Sequence, residues 1–407
     1  MRAPKLEWII FVLIIVFFLY SCNNVFYVQF EPRTILEDYS VSIHKGTIFS
    51  DDKLYALAGW RYITGTTPDV INFEHPPLAK YLIGLSELAF MNQALLSLIF
   101  SVFTLMLVYL ISKKILHIFP FTLLPILILS MDKLYIQFSS FSMLDIYATF
   151  FTAFAIFLLI LNKGKWSFLF LYIAVGLALS CKWITFFLII IIPLYYLLNR
   201  NWENLKLYPL GLAIAFLTYS ATYVVFFLAG NSILDFIFLQ LKMLGYHQGM
   251  RVGMGAPPPF WILLNFLLGI EGPSEITVIH FDTVTKIFTF ALPEKGISLI
   301  NTYNPLTWPI SFSAVILALF YLFRENKKMF AIPLVFILLL ISTSTGKPFI
   351  WYLLSALPFA FISLVYVIER IYIKSENKIA AKLIITVYII SIIIWSLFVN
   401  LPSYIVF

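Results

Sequence analysis

Charged residues and cysteine are both scarce in this sequence of 407 residues. Only 12% of the residues are charged, whereas 61% are hydrophobic and 18% aromatic, and the mean hydropathy is +0.95. Soluble domains carry roughly 25% charged residues, so a water-soluble enzyme and a disordered chain are both excluded. Two cysteines cannot build a disulfide scaffold. The composition is that of a polytopic membrane protein.

The hydrophobic residues fall into about eleven runs, each close to the roughly 20 residues that a helix needs to cross a bilayer. They lie at about 7–23, 94–112, 117–135, 144–162, 166–181, 183–199, 207–229, 306–323, 329–343, 349–369 and 383–401. Basic residues such as Lys113-Lys114 and Lys327-Lys328 cluster on alternate connections, and such clusters mark the cytoplasmic face. We therefore predict an all-α, multi-pass membrane protein with its N-terminus inside and its C-terminus outside. The first run is predicted to be a retained signal anchor.

The same charge distribution explains the net charge of +7. A positive balance of this size can indicate a nucleic-acid partner, but here the basic residues mark one membrane face. The lipid bilayer is therefore an expected partner, and nucleic acid is not. No repeat or separate soluble domain is visible, so residues 1–407 are predicted to form a single domain.

Two predicted outer loops, at about 24–93 and about 230–305, exceed the roughly 15 residues beyond which a loop is usually functional. The first contains the apolar stretch 76–90, which is too short to span and carries polar residues, so we expect a helix lying on the outer leaflet. The second contains an apolar stretch, 260–270, expected at the interface. It also contains 276–290, whose β-branched and aromatic residues favour a short hairpin.

Several ionisable residues fall on the predicted outer face, and such residues in membrane proteins are usually functional. They are Asp51, Asp52, Glu74, His75, Asp145, Lys182, His247 and Lys347. Singly, each has a structural explanation: the aspartates can cap helices, and isolated lysines can extend to the interface. Glu74-His75-Pro76-Pro77 can simply end a loop and begin a helix, and His247 alone can be structural. The occurrence of all these residues on one predicted face favours a functional site.

The order of short motifs resembles that of the protein O-mannosyltransferases and the related aminoarabinose transferase, which are GT-C glycosyltransferases. Asp51-Asp52-Lys53-Leu54-Tyr55 is similar to their acidic pair followed by Tyr, and Phe73-Glu74-His75-Pro76-Pro77-Leu78-Ala79-Lys80 to their Phe-Glu-Lys-Pro-Pro-Leu and His-Pro-Pro-Leu-Gly-Lys elements. Leu144-Asp145 with Phe150-Phe151 resembles the start of their fourth span. Later matches are Gly176 to Trp183, Tyr246-His247, Trp308-Pro309 and Lys347 to Phe359.

The chain departs from these families at two places. Their common arginine at the start of the second span is replaced by Asn92-Gln93-Ala94, which leaves the phosphate-binding cation open. The large luminal β-trefoil insertion of eukaryotic mannosyltransferases is missing, and the loop at about 230–305 stands in its place. Acceptor recognition therefore cannot be carried over.

The resemblance implies an inverting transfer of a sugar, with mannose expected, from a polyprenyl or dolichyl monophosphate to an acceptor hydroxyl at the extracytoplasmic face. Protein Ser or Thr is the expected acceptor, and a lipid or glycan acceptor of the aminoarabinose-transferase type is the alternative. A transporter is a weaker alternative, because transporter sites usually lie near the bilayer midplane between repeats.

The chemistry of that transfer suggests roles for the candidates. Asp51 and Asp145 are the expected catalytic pair, with Asp51 as the base that takes the hydroxyl proton. The leaving phosphate needs cations, for which Lys182, Lys347 and His75 are candidates. Glu74 and Asp145 are candidates for holding sugar hydroxyls or orienting the cations, and Asp52 and His247 are secondary candidates for substrate binding. No metal or other cofactor is expected, although a divalent ion between Asp51 and Asp145 is an alternative.

Overall fold

The computed structural model describes residues 3–45, 50–161, 164–254, 306–326, 329–344 and 350–400. Within these ranges the chain is helical and contains no strand, as the apolar runs predict. Lys347, the apolar stretch 260–270 and the hairpin predicted at 276–290 lie outside the described residues. The helices are numbered here in chain order through the described ranges.

The first helices lead from the N-terminal run to the pair that carries most of the motifs. They are α1 Ala3–Ser21, α2 Pro32–Lys45, α3 Asp51–Ile63, α4 Leu78–Phe90, α5 Leu95–Ile115, α6 Phe119–Ser130, α7 Lys133–Ser140, α8 Leu144–Leu161 and α9 Gly164–Cys181.

The later helices complete the bundle. They are α10 Phe187–Leu198, α11 Trp202–Lys206, α12 Tyr208–Ala221, α13 Val224–Leu228, α14 Ile233–Met254, α15 Trp308–Glu325, α16 Ala331–Ser344, α17 Leu357–Lys374 and α18 Lys378–Asn400. Short 3-10 turns at Asn23–Tyr27, Trp183–Phe186 and Ile350–Leu353 connect some of them.

Five helices in the described part of the chain are long and apolar enough to cross a membrane: α5, α8, α9, α15 and most of α18. The helices α6 and α7 make a sixth span if they count as one, although the chain bends by 60° between them. The protein is therefore an integral membrane protein. Further apolar helices, including α12, are shorter, so the number of eleven spans stays a prediction.

The bend between α6 and α7 corrects the expectation of one uninterrupted helix at 117–135. Asp132 caps α7 by accepting a hydrogen bond from the Tyr135 backbone N–H at 3.0 Å. The other carboxylate oxygen of Asp132 accepts from Trp308 Nε1 at 2.7 Å. An N-cap residue has non-helical backbone angles, so the helix is interrupted where this buried side chain is held.

The helices α8 and α17 form the centre of the bundle. Nearly every side chain of α8 is buried, because the helix is apolar on all faces and packs against α5 and α9. A helix that is hydrophobic all round is typical of a buried position or a membrane span. The helix α17 packs against α6, α15 and α16, and α18 lies at the periphery, where it exposes Ile379, Leu383 and Ile384.

The helices α3 and α4 form a close antiparallel pair beside this bundle. Their backbones meet at Gly59 and Gly84, where a Cβ atom on Gly59 would lie 2.7 Å from the Gly84 backbone nitrogen. The helix predicted within 76–90 is present as α4. It exposes Leu85 and Leu88 while burying its polar residues, which is the arrangement expected for a helix beside lipid.

Candidate active site

A buried ion pair joins the start of α8 to the end of α9. Lys182 Nζ lies 2.7 Å and 2.8 Å from the two carboxylate oxygens of Asp145. The exposed fractions of the two residues are only 5% and 2%. The pair forms because α8 and α9 are packed antiparallel, so that Leu144 and Cys181 lie at the same end. Lys182 therefore does not extend to the interface, and Asp145 is more than a helix cap.

The ammonium group of Lys182 also lies over an aromatic ring. Its Nζ is 4.6 Å from the centroid of Tyr352, a distance at which a cation is attracted to the face of the ring. Tyr352 lies within the 3-10 turn Ile350–Leu353, which precedes α17. The later part of the chain thus contributes to the same site as α8 and α9.

Asp51 is the first residue of α3, and its carboxyl group lies in the electric field of this ion pair. Ser50 occupies the N-cap position, so Asp51 is not the cap. Burial raises the pKa of Asp51 to about 6, the Lys182 ammonium lowers it, and the carboxylates of Asp145, Asp52 and Glu74 raise it. These interactions bring together residues from α3, α8, α9 and the loop before α4. At neutral pH the Asp51 carboxyl is mostly ionised but close enough to its pKa to accept a proton.

The segment 72–75 brings Glu74 and His75 to the same place. Asn72 Nδ2 donates a hydrogen bond to a carboxylate oxygen of Glu74. The His247 Nε2 atom lies 2.7 Å from the Glu74 carbonyl oxygen, which connects α14 to this segment. The ring centroids of His75 and His247 are 5.3 Å apart, so two imidazoles stand side by side.

Aromatic side chains surround the two histidines. Tyr55, one turn after Asp51 on α3, lies 6.0 Å from His75 between ring centroids. Trp183, directly after Lys182, lies 6.3 Å from His247. Tyr246 packs against Phe73 at 5.8 Å. These rings connect the histidines to both the Asp51 helix and the Lys182 turn.

Asp52 lies next to Asp51 and is half-buried. Its carbonyl oxygen accepts a hydrogen bond from the Ser142 hydroxyl at 2.8 Å, which ties the start of α3 to the residues before α8. The structure thus brings together all the predicted site residues that it describes. Lys347 lies outside the described ranges, and its position as a phosphate-binding group stays a prediction.

Sequence reasoning missed two residues beside the site. Lys80 is fully buried, but the sequence analysis names it only as the last residue of a motif and assigns it no role. Asn72 has a positive φ of 51° and contacts both Lys80 and Glu74. The only available signal was the position of Lys80 in the motif that begins at Phe73, which resembles the His-Pro-Pro-Leu-Gly-Lys element.

A metal centre would require several ligands close together. Among the described residues, no group of three or more His, Cys, Asp or Glu side chains is placed to hold a metal ion. A divalent ion bridging Asp51 and Asp145 would compete with the ammonium of Lys182, which already contacts both oxygens of Asp145. The expectation of no metal cofactor stays a prediction.

The helical bundle, with this group of acids, a lysine and histidines at one end, has the fold of the GT-C glycosyltransferases. It is similar to an oligosaccharyltransferase of Archaeoglobus fulgidus in the apo form, with a TM-score of 0.55 and 14% identity over 98% of this chain and 55% of that one. It is also similar to ArnT from Cupriavidus metallidurans bound to undecaprenyl phosphate, with a TM-score of 0.58 and 12% identity over 91% of this chain and 61% of that one.

Within that fold, residues 74–225 match the family model of the dolichyl-phosphate-mannose-protein mannosyltransferases. This match confirms the resemblance that the motifs predicted. No curated protein matches the chain by sequence. The chain spans 55% and 61% of the lengths of the two similar structures.

Proposed function

We propose that the protein is an inverting glycosyltransferase that uses a polyprenyl or dolichyl monophosphate sugar as donor and acts at the extracytoplasmic face. Mannose is the proposed sugar, and Ser or Thr of a protein is the proposed acceptor. The observation that carries the proposal is the grouping of Asp51 with the Asp145–Lys182 ion pair at one end of a GT-C bundle. The match of residues 74–225 to the mannosyltransferase family supports it, and the neighbour bound to undecaprenyl phosphate supports the lipid donor.

Asp51 is the proposed base. The acceptor oxygen attacks the anomeric carbon, the bond from that carbon to the phosphate oxygen breaks, and the acceptor proton passes to the Asp51 carboxylate. A base is most effective when its pKa lies near the working pH. Burial raises the pKa of Asp51 to about 6, which satisfies that condition while leaving the group mostly ionised at pH 7.

His75 and His247 are the proposed binding groups for the departing phosphate. The leaving oxygen gains negative charge, which donors fixed in a poorly hydrated site can stabilise. Lys182 is already engaged, because two of its N–H groups point to Asp145. The two imidazoles are adjacent and are held by the Glu74 segment. Lys347 remains a second candidate for the same phosphate.

The Asp145–Lys182 pair has a different proposed role. Burial is the main cause of the raised pKa of Asp51, and the two charges of the pair act on it in opposite directions, so the pair adjusts the pKa of the base. Asp145 has further oxygen lone pairs that can accept sugar hydroxyls. Glu74, oriented by Asn72, is the second candidate for holding the sugar.

A lipid or glycan acceptor is the alternative within the same chemistry. The similarity to ArnT over 91% of this chain favours it, whereas the family match favours a protein acceptor. Both alternatives use the same donor class and the same base. The acceptor alone distinguishes them.

The test is sugar transfer by the purified protein from radiolabelled polyprenyl-phosphate sugars to peptide and lipid acceptors. We expect labelled product, and we expect Asp51→Asn to reduce the rate by about 10²- to 10⁴-fold, the usual contribution of a general base. The matched control is Asp38→Asn, which removes a surface acid that is 47% exposed. Wild-type activity in Asp51→Asn would exclude Asp51 as the base, and absence of transfer from every such donor would exclude the proposed function.

A further inference from the structure

Lys80 is a second buried lysine, and it lies directly behind the segment that carries Glu74 and His75. Its exposed fraction is 0%, and its ammonium group lies 5.2 Å from the centroid of the Tyr62 ring. No carboxylate of the described residues lies within ion-pair distance of it. Its hydrogen bonds instead go to oxygens of the loop.

The ammonium group donates to three oxygens in the segment 72–75. They are the carbonyl oxygen of Asn72, the Asn72 side-chain Oδ1 at 3.1 Å, and the carbonyl oxygen of His75 at 2.8 Å. An ammonium has three N–H donors, so all of them are used on this one segment. Lys80 therefore holds both ends of a four-residue turn.

The backbone of the turn is unusual at its first residue. Asn72 has a φ of 51°, in the left-handed region that asparagine tolerates better than most residues. Asn72 in turn donates to the Glu74 carboxylate. The chain of contacts thus runs from Lys80 through Asn72 to Glu74, and directly from Lys80 to the His75 peptide.

Burying the Lys80 ammonium without a bonded carboxylate lowers the stability of the fold. Burial also lowers the pKa of Lys80 to about 7, although the nearby Glu74 charge acts in the opposite direction. An apolar side chain of similar length would avoid the cost of burying a charge but would leave the three oxygens without their donor. A residue that lowers stability at a site is expected to serve the site.

We propose that Lys80 is a positioning residue, which fixes the segment 72–75 so that Glu74 and His75 meet the donor. This inference rests on the proposed function. Lys80 touches no reacting atom. It acts through the three oxygens that it binds.

The test compares Lys80→Met with Lys53→Met in detergent or nanodiscs. Lys53 lies on α3 in a surface pair with Asp38, with an exposed fraction of 43%, and such pairs contribute little. We expect Lys80→Met to lower kcat/KM for the donor by about 10- to 100-fold, as expected for a small misplacement of binding groups. The donor KM should rise and the acceptor KM should stay unchanged. The thermal midpoint should change little, because the lost hydrogen bonds and the removed buried charge act in opposite directions. Lys53→Met should behave as wild type.

The second readout does not require activity. Hydrogen exchange at the amides of 72–75 should be faster in Lys80→Met than in wild type, while exchange in α8 stays the same. In wild type, protection should also fall between about pH 6 and 8, because a neutral amine has only two N–H groups for three acceptors. The titratable side chains that face Lys80 are Glu74 from the loop and Tyr62 from α3. In Lys80→Met that pH dependence should be absent.

The outcomes separate the two proposals. A lowered thermal midpoint with equal losses for donor and acceptor would make Lys80 a structural residue only. If wild type transfers no sugar, the proposed function fails, and unchanged exchange at 72–75 in Lys80→Met would overturn the positioning role separately. Should Lys80→Met not fold, Lys80→Gln keeps a polar side chain there but has no charge and only two N–H donors for the three oxygens. An unchanged donor KM in that variant would overturn the proposal.

Discussion

The α8–α9 hairpin and the α3–α4 hairpin each bury one lysine, but they neutralise it in different ways. In α8–α9, Lys182 is paired with both oxygens of Asp145. In α3–α4, Lys80 binds only carbonyl and amide oxygens of the segment 72–75. The first lysine holds two membrane helices together, whereas the second holds a loop against a helix.

The difference follows from what each region can offer. Lys182 directly follows α9 and lies against α8. The backbone carbonyls of α8 are used by the helix itself, so the group that α8 offers to this cation is the Asp145 carboxylate. A loop that turns sharply leaves carbonyl groups without helical partners, and a buried ammonium can bind several of them. The two lysines should therefore differ in what their removal does to stability and to activity.

The largest effect is expected from breaking the membrane pair. Lys182→Met leaves the Asp145 carboxylate buried without its cation, which typically costs about 3–5 kcal/mol of stability. We expect a large fall in the thermal midpoint in detergent and loss of sugar transfer. The Lys80→Met variant should show the opposite combination, with stability kept and donor binding weakened.

The double variant Asp145→Leu/Lys182→Met sharpens this prediction. Replacing a buried pair by apolar residues is often neutral or stabilising, so the thermal midpoint should recover while transfer stays absent. If the double variant is as unstable as Lys182→Met, the loss of stability in Lys182→Met is not caused by an unpaired charge. If it regains activity, neither residue belongs to the site.

The sequence predicted the part of the candidate site on α8 and α9 better than the part on α3 and α4. The apolar run at 144–162 gives α8, and the Leu144-Asp145 and Lys182-Trp183 motifs indicate both members of the ion pair. Their contact could not be read from the sequence, because the two residues are 37 positions apart and only the antiparallel packing of the helices brings them together.

The α3–α4 half was harder because its key contacts go to the backbone. Lys80 binds carbonyl oxygens, and a pattern of side chains carries no information about them. The bend at Asp132 was missed for a related reason, since its partner Trp308 is 176 positions away. A hydropathy window responds to neither kind of contact.

A smaller effect is expected from the glycine contact that holds α3 on α4. Gly84→Ala would place a methyl group against the Gly59 backbone, and such overpacking typically costs about 1–3 kcal/mol. We expect a lower thermal midpoint and weaker transfer, because α3 carries Asp51. The matched control is Gly245→Ala on α14, where a Cβ atom meets no neighbour within 4 Å and the helix should gain a few tenths to about 1 kcal/mol. Equal stability of the two variants would contradict the close packing of α3 on α4.

The smallest effect is a shift in the pH profile of activity. It tests whether the Asp145–Lys182 pair changes the pKa of Asp51. In the proposed mechanism the ionised form of Asp51 is the base, so activity should fall as the pH drops through about 6, the pKa to which burial raises this carboxyl. Asp145→Asn removes a negative charge that raises the pKa of Asp51. The acid limb of kcat/KM should therefore move to lower pH. The profile is measured from pH 4.5 to 8 with one donor and one acceptor.

Asp52→Asn is the matched control for this shift. The Asp52 charge also raises the pKa of Asp51, but less than Asp145 does, so its removal should move the limb in the same direction by a smaller amount. If the limb stays in place in both variants, its titrating group is not Asp51, and the α8–α9 pair then acts on the site only through its contribution to stability.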